Sequence, residues 1–170
     1  MRWNGVLIEA EPHNAAKLIV NRPHTKNYAA AICPEGQKET TFIGDGAVGG
    51  VADDMSQTHM DFWIKGKGQT REVTVQCQTM KAILKDVGIT RVDLFSLDVE
   101  GAELTVLRTM DWSIPVRVFV IERSQNHQKV VDLLHEHGYK ESAWNIRDYC
   151  RPGRDCTNNA VFESTKYGHK

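Results

Sequence analysis

Asp98-Val99-Glu100-Gly101-Ala102-Glu103 places three carboxylates within six residues. The glycine allows a tight turn, and acids at the start of a helix are favoured by its macrodipole. Just before them, Val92 to Leu97 gives the strongest strand signal in the chain, so the acids fall where a strand ends and a helix begins. Carboxylates so placed can draw a proton from a hydroxyl, and Asp98 and Glu100 are the candidate bases. Hard cations also take such ligands. No histidine accompanies the stretch and no acidic spacing repeats, so the sequence assigns no metal.

Two more acids close apolar runs: Glu9 after Gly5 to Ile8, and Glu122 after Val116 to Ile121. An acid at the end of a parallel strand can accept hydrogen bonds from both hydroxyls of a ribose, which makes Glu9 a candidate cofactor ligand. A helix cap is the competing role, and Glu11 suits it better because Pro12 follows at a position that opens helices. Glu122 either faces a substrate or stands in solvent. His127 follows it on the same side of the sheet and is the second substrate-side candidate. His135-Glu136-His137 lacks the spacing of a zinc site and reads as surface.

Gly44-Asp45-Gly46-Ala47-Val48-Gly49 matches G-x-G-x-x-G. That pattern grips a dinucleotide only between a strand and a helix, with an acid about 20 residues on. Asp53 and Asp54 come too soon, so the stretch reads as a loop over the site. Between Gly36 and Arg71, Thr40 to Ile43 is a candidate strand, and Gly44 to Gly50 with the polar stretch after it reads as an exposed insertion.

The positioning elements follow from periodicity. Val6 to Ile8, Tyr28 to Cys33, Glu72 to Cys77, Val92 to Leu97 and Val116 to Ile121 read as strands. Val6 to Ile8, Val92 to Leu97 and Val116 to Ile121 are expected at or near the centre of a sheet, since apolar runs need cover on both faces. His13 to Val20, Thr79 to Val87, Gly101 to Met110 and Asn126 to His137 read as helices, with Gly88 and Gly138 as stops. Trp144 to Tyr149 and Asn159 to Ser164 are expected as a final antiparallel pair. Strands alternating with helices give an α/β fold with an open, mainly parallel sheet, whose ligands bind beyond the carboxyl ends of the strands.

The chain has 170 residues, 25% charged and 41% hydrophobic, which suits one domain over residues 1–170. A net charge of −1 gives no bulk attraction to nucleic acid or acidic membranes, and the scattered tryptophans form no base-stacking platform. No apolar run reaches the roughly 20 residues of a membrane helix, and Met1 to Glu9 does not resemble a secretory signal, so the expected location is cytoplasmic. Cys33 and Cys77 sit in strand contexts and are expected as buried thiols. Cys150 and Cys156 flank a turn-rich loop, where a disulfide and a reduced pair both remain open.

Val92 to Leu107, with its D-x-E-G-x-E core from Asp98 to Glu103, resembles the central signature of FkbM-type methyltransferases. Gly5 to Pro12, Asn27 to Cys33, Cys77 to Leu84, and His137-Gly138-Tyr139 with Asn159 to Phe162 resemble other segments of that family, in the same order. The resemblance implies a Rossmann-like sheet with flanking helices and a C-terminal antiparallel strand pair. It implies methyl transfer from S-adenosylmethionine, usually to an oxygen of a small molecule or sugar. Glu9 would hold the cofactor ribose. Asp98 would lie near the cofactor's methionine end or the acceptor. The family's opening strand and its D-x-G-A-N-x-G loop have no counterpart in these residues. The first strand of the sheet is therefore expected to be missing, with weak cofactor binding and self-association through the incomplete sheet as consequences. The alternative is a non-catalytic remnant that binds a partner.

Overall fold

The computed structural model describes residues 4–45, 48–68, 71–142 and 158–166. It is a mixed α/β structure whose elements largely follow the periodicity of the sequence. Strand β1 (Val6–Glu9) leads into α1 (Pro12–Asn21), where the Glu11 carboxylate accepts from the Asn14 backbone N–H at 2.6 Å. That is the capping role expected of Glu11. The next extended run is broken at Ala30 into β2 (Lys26–Ala29) and β3 (Ala31–Ile32). Strands β4 (Glu39–Ile43) and β5 (Gly50–Val51) come next, then a short helix α2 (Gln57–His59) that continues as a π-helical turn over Met60–Lys65.

Strand β6 (Glu72–Gln78) precedes α3 (Met80–Val87), which Thr79 caps and Gly88 ends in the left-handed conformation. Strand β7 (Val92–Leu97), α4 (Glu103–Arg108), β8 (Val116–Glu122) and α5 (His127–Glu136) follow as expected. The chain then forms β9 (Tyr139–Glu141) and β10 (Asn159–Ser164). Strand β10 pairs antiparallel with β9 on one side and with β8 on the other. Trp144 to Tyr149 lies outside the described residues, as do Cys150 and Cys156.

Among the described residues the strands are not joined into one mainly parallel sheet. Among the described residues they form β1-β2, β3-β6-β4-β5 and β7-β8-β10-β9. Pairing is parallel at β1–β2, β3–β6 and β7–β8, and antiparallel at the other four junctions. The reason lies in the connections. α1 joins β1 to β2 and α4 joins β7 to β8, the crossovers that parallel neighbours need. The Gly36 to Arg71 stretch is accordingly not a bare insertion. It adds β4 and β5 to the sheet and carries α2. Of the three strands expected near a sheet centre, only β8 has neighbours on both sides; β1 pairs with β2 alone and β7 with β8 alone among the described residues.

The main core lies around β8. Phe119 and Phe162 are fully buried, together with Leu107 of α4 and Leu134 of α5. Phe119 packs on Phe95, Trp112 and Tyr139 with ring centroids 5.3, 6.2 and 5.0 Å away. A second cluster joins Ala31, Cys33, Phe42 and Val75.

Cys33 and Cys77 are not the expected thiols but a disulfide. Parallel pairing of β3 with β6 sets Ala31 against Cys77 and brings the two cysteine Cα atoms to 5.5 Å, within bonding range. They lie 44 residues apart in sequence, so only the register of two strands could show it. None of the described helices is long and apolar enough to cross a membrane.

Candidate active site

The parallel register of β7 with β8 pairs Leu97 with Ile121, so the next residues, Asp98 and Glu122, emerge side by side at the carboxyl ends of both strands. The chain after Asp98 turns sharply. Glu100 has a φ of +52° and Gly101 a φ of +112°. A left-handed non-glycine residue costs on the order of 1–3 kcal/mol and persists where its surroundings fix it. Here the turn is held from below. Glu103, the first residue of α4, is fully buried, and its Oε1 accepts from the N–H groups of Val99 and Gly101, both at 3.2 Å. Its Oε2 has no hydrogen-bond partner among the described residues. One carboxylate oxygen from each of Asp98, Glu100 and Glu122 lies within 4.8 Å of the others.

The segment after β4 covers this turn. The Gln125 side-chain amide donates to the Asp54 carbonyl at 2.9 Å, and the Thr105 hydroxyl donates to the Asp54 carboxylate at 2.7 Å. His59 Nε2 donates to the Val48 carbonyl at 2.8 Å, and its Nδ1 stands 3.5 Å from the Glu100 carboxylate. A Cβ on Gly101 would meet the Asp54 carbonyl oxygen at 2.5 Å. Gly101→Ala is therefore expected to lower stability by about 2 kcal/mol or more, because a strained φ adds to a backbone clash. Urea unfolding measures this, and an unchanged midpoint would mean that the cover does not press on the turn.

Like charges crowd here. Burial, the Asp98 carboxyl hydrogen-bonded beside it, and the charges of Asp98, Glu100 and Glu103 push Glu122 up to about 8. The Asn158 side-chain amide, which donates to Glu122 at 2.5 Å, is the neutral neighbour on the β10 side. Burial also raises Glu100, against the opposing pull of His59, and raises Asp54, against the Thr105 hydroxyl. With its folded pKa above the unfolded value of 4.5, Glu122 contributes stability that is complete below that value and lost as pH rises through about 8. Glu122→Gln removes the charge and should melt progressively higher than wild type from about pH 5 to about pH 9. Parallel melting curves across that window would rule out the crowding.

Asp98, Glu100 and Glu122 thus come together. Glu9 ends β1 in another ladder, and its Oε1 accepts from the Glu11 N–H at 2.9 Å. Its Oε2 has no partner among the described residues. His127 opens α5 with its ring 6.5 Å from that of Phe162, and its charged neighbours are Arg123 and Glu141 rather than the three carboxylates. Burial of its ring lowers its pKa, and its Nδ1 has no partner among the described residues. Gly44 and Gly49 open no helix after β4; they pack closely on Ile64 and Phe42.

The residues missed by sequence reasoning are Asp54, His59, Thr105, Gln125 and Asn158. Each acts through a long-range contact that carries no local spacing signal.

The family model described as Methyltransferase FkbM domain matches residues 1–141. No curated protein and no solved structure matches the chain.

Proposed function

Because the chain belongs to the FkbM methyltransferase family, we propose that it transfers a methyl group from S-adenosylmethionine to an oxygen of a small molecule or sugar. The observation that carries this reading is the convergence of Asp98, Glu100 and Glu122 at the carboxyl ends of β7 and β8. Ligands of open α/β sheets bind at such ends. In this reading residues 1–170 form one domain, and the three ladders belong to one Rossmann-like arrangement. The parallel pairs β1–β2, β3–β6 and β7–β8 support that arrangement.

The residues present fit the cofactor. Glu9 keeps one carboxylate oxygen for the ribose hydroxyls while the other is held by the Glu11 N–H. Asp98 offers negative charge to the methionine end or to the acceptor. When bound, the cofactor supplies an electrophilic methyl group. The chain's own part is to align an acceptor hydroxyl and to take its proton, a role for Asp98 or Glu100, with Glu122 on the acceptor side. His127 is proposed to line the approach to the acceptor site from the start of α5. Glu9→Gln should weaken S-adenosylhomocysteine binding by about 1–3 kcal/mol, read by calorimetry. Equal affinities would move the cofactor away from Glu9.

Methyl transfer itself is tested by release of S-adenosylhomocysteine over a panel of sugars and hydroxylated small molecules. Turnover of a member of the panel supports the reading, and turnover of thiols or amines alone contradicts it. A cytoplasmic location belongs to the same reading. The Cys33–Cys77 disulfide is the feature to check against it, since such bonds are rare in reducing compartments.

A second reading, a non-catalytic module that binds a partner or a second copy, is favoured by one observation. The outer edge of β7 has no partner strand among the described residues, and Leu94 on it is half exposed. Sedimentation separates the two: a stable dimer dissociated by Leu94→Lys supports this second reading.

A further inference from the structure

We propose that His59 is a positioning residue for Glu100, so that the segment carrying it is part of the acceptor site rather than a passive cover. The contact stands on geometry; its use in aligning an acceptor rests on the methyltransferase reading.

Glu100 needs support from outside its own turn. Its φ of +52° is one that side chains rarely adopt, and the Glu103 carboxylate holds its two neighbours, through the N–H groups of Val99 and Gly101. What meets the Glu100 side chain comes from the segment after β4. A Cβ on Gly50 would stand 3.2 Å from the Glu100 Cβ, so the β5 backbone lies against it. The carboxylate faces His59 Nδ1 at 3.5 Å, with both side chains mostly buried. Among the described residues His59 is the one basic group in ion-pair contact with Glu100. Asp98 at the end of β7 and Glu103 of α4 act on it as like charges. Burial raises Glu100, and His59 opposes that rise.

The ring is oriented before it meets the carboxylate. The Ser56 hydroxyl accepts from the His59 backbone N–H at 3.0 Å, which fixes the residue on α2. Its Nε2 stands 2.8 Å from the Val48 carbonyl. A carbonyl only accepts, so Nε2 carries the hydrogen and Nδ1 is left to face Glu100. From there Nδ1 gives a hydrogen to the carboxylate or takes one from the carboxyl group, and either state holds Glu100 in one direction. Asp61 and Lys65, the charged groups on the following turn, pair with each other at 3.0 Å and leave His59 to Glu100. A hydroxyl displaced by about 1 Å from a methyl donor reacts about a hundredfold more slowly, so a carboxylate that meets it must not swing.

The two ring nitrogens are separable by substitution. In His59→Asn the side-chain amide falls near Nδ1 and still reaches Glu100, but loses Val48. In His59→Gln it falls near Nε2 and keeps Val48, but loses Glu100. The first measurement is amide hydrogen exchange of Val99 and Gly101 in the full chain with no ligand added. Exchange is expected to be about tenfold faster in His59→Gln and within about twofold of wild type in His59→Asn. The second is the rate with a panel compound that the wild-type chain methylates. The expected result is a fall in kcat of about tenfold or more in His59→Gln with little change in KM, against about threefold or less in His59→Asn. In a Glu100→Gln background, His59→Gln should add less than about twofold to either effect. Near-ultraviolet circular dichroism confirms that each variant is folded. Equal effects of the two variants, a larger effect in His59→Asn, or full additivity with Glu100→Gln overturns the proposal and leaves His59 as an anchor of the cover alone. Hydrogen exchange reads no methyl transfer, so its failure leaves the transferase reading intact, and failure of the acceptor panel leaves the exchange result standing.

Discussion

Asp98→Asn is expected to slow methyl transfer by roughly 10²–10⁴-fold while the chain stays folded. Asparagine matches aspartate in shape, and Asp98 is exposed at the end of β7, so no core packing is lost. What is lost is the proton acceptor and the charge beside Glu122. The measurement is the initial rate of S-adenosylhomocysteine release with a panel compound that the wild-type chain methylates. A fall in kcat with little change in KM for the acceptor fits proton acceptance; a rise in KM alone assigns Asp98 to binding. A rate within a few-fold of wild type would remove Asp98 from the chemistry.

Phe119→Ala is the substitution with the largest expected effect on stability. The ring is fully buried in β8 and touches Phe95 of β7, Trp112 before β8 and Tyr139 of β9. Removing such a ring costs about 3–5 kcal/mol through lost burial and a cavity. That is a large share of the stability of an ordinary domain. The effect reaches the site because Phe119 pairs with Phe95 in the register that also sets Asp98 beside Glu122. Chemical unfolding gives the number, and a loss below about 1 kcal/mol would mean that the core around β8 is loose.

The strands and helices were legible where burial and periodicity coincide. β7, β8, α3 and α5 lie within a residue or two of their expected bounds because apolar spacing and the glycine stops Gly88 and Gly138 act locally. In the Gly36 to Arg71 stretch β4 was legible, as Thr40 to Ile43, whereas β5 and α2 were not. Its strand β5 is two residues long, and its anchors, Ile64 against Gly44 and His59 against Glu100, are tertiary contacts. The mixed sheet was likewise hidden, because periodicity marks a strand without stating the direction of its neighbour. In the site, Asp98, Glu100 and Glu103 form a local pattern that a sequence displays. Glu122 joins them only through the register of β8 on β7, and that step turns a row of acids into a three-carboxylate cluster.

A crystal structure of the chain with S-adenosylhomocysteine decides where the cofactor binds. The ligand is expected at the carboxyl ends of the parallel strands, with its ribose hydroxyls on Glu9 and its sulfur turned towards Asp98. A ligand bound on another face, or none bound at saturating concentration, would contradict that placement.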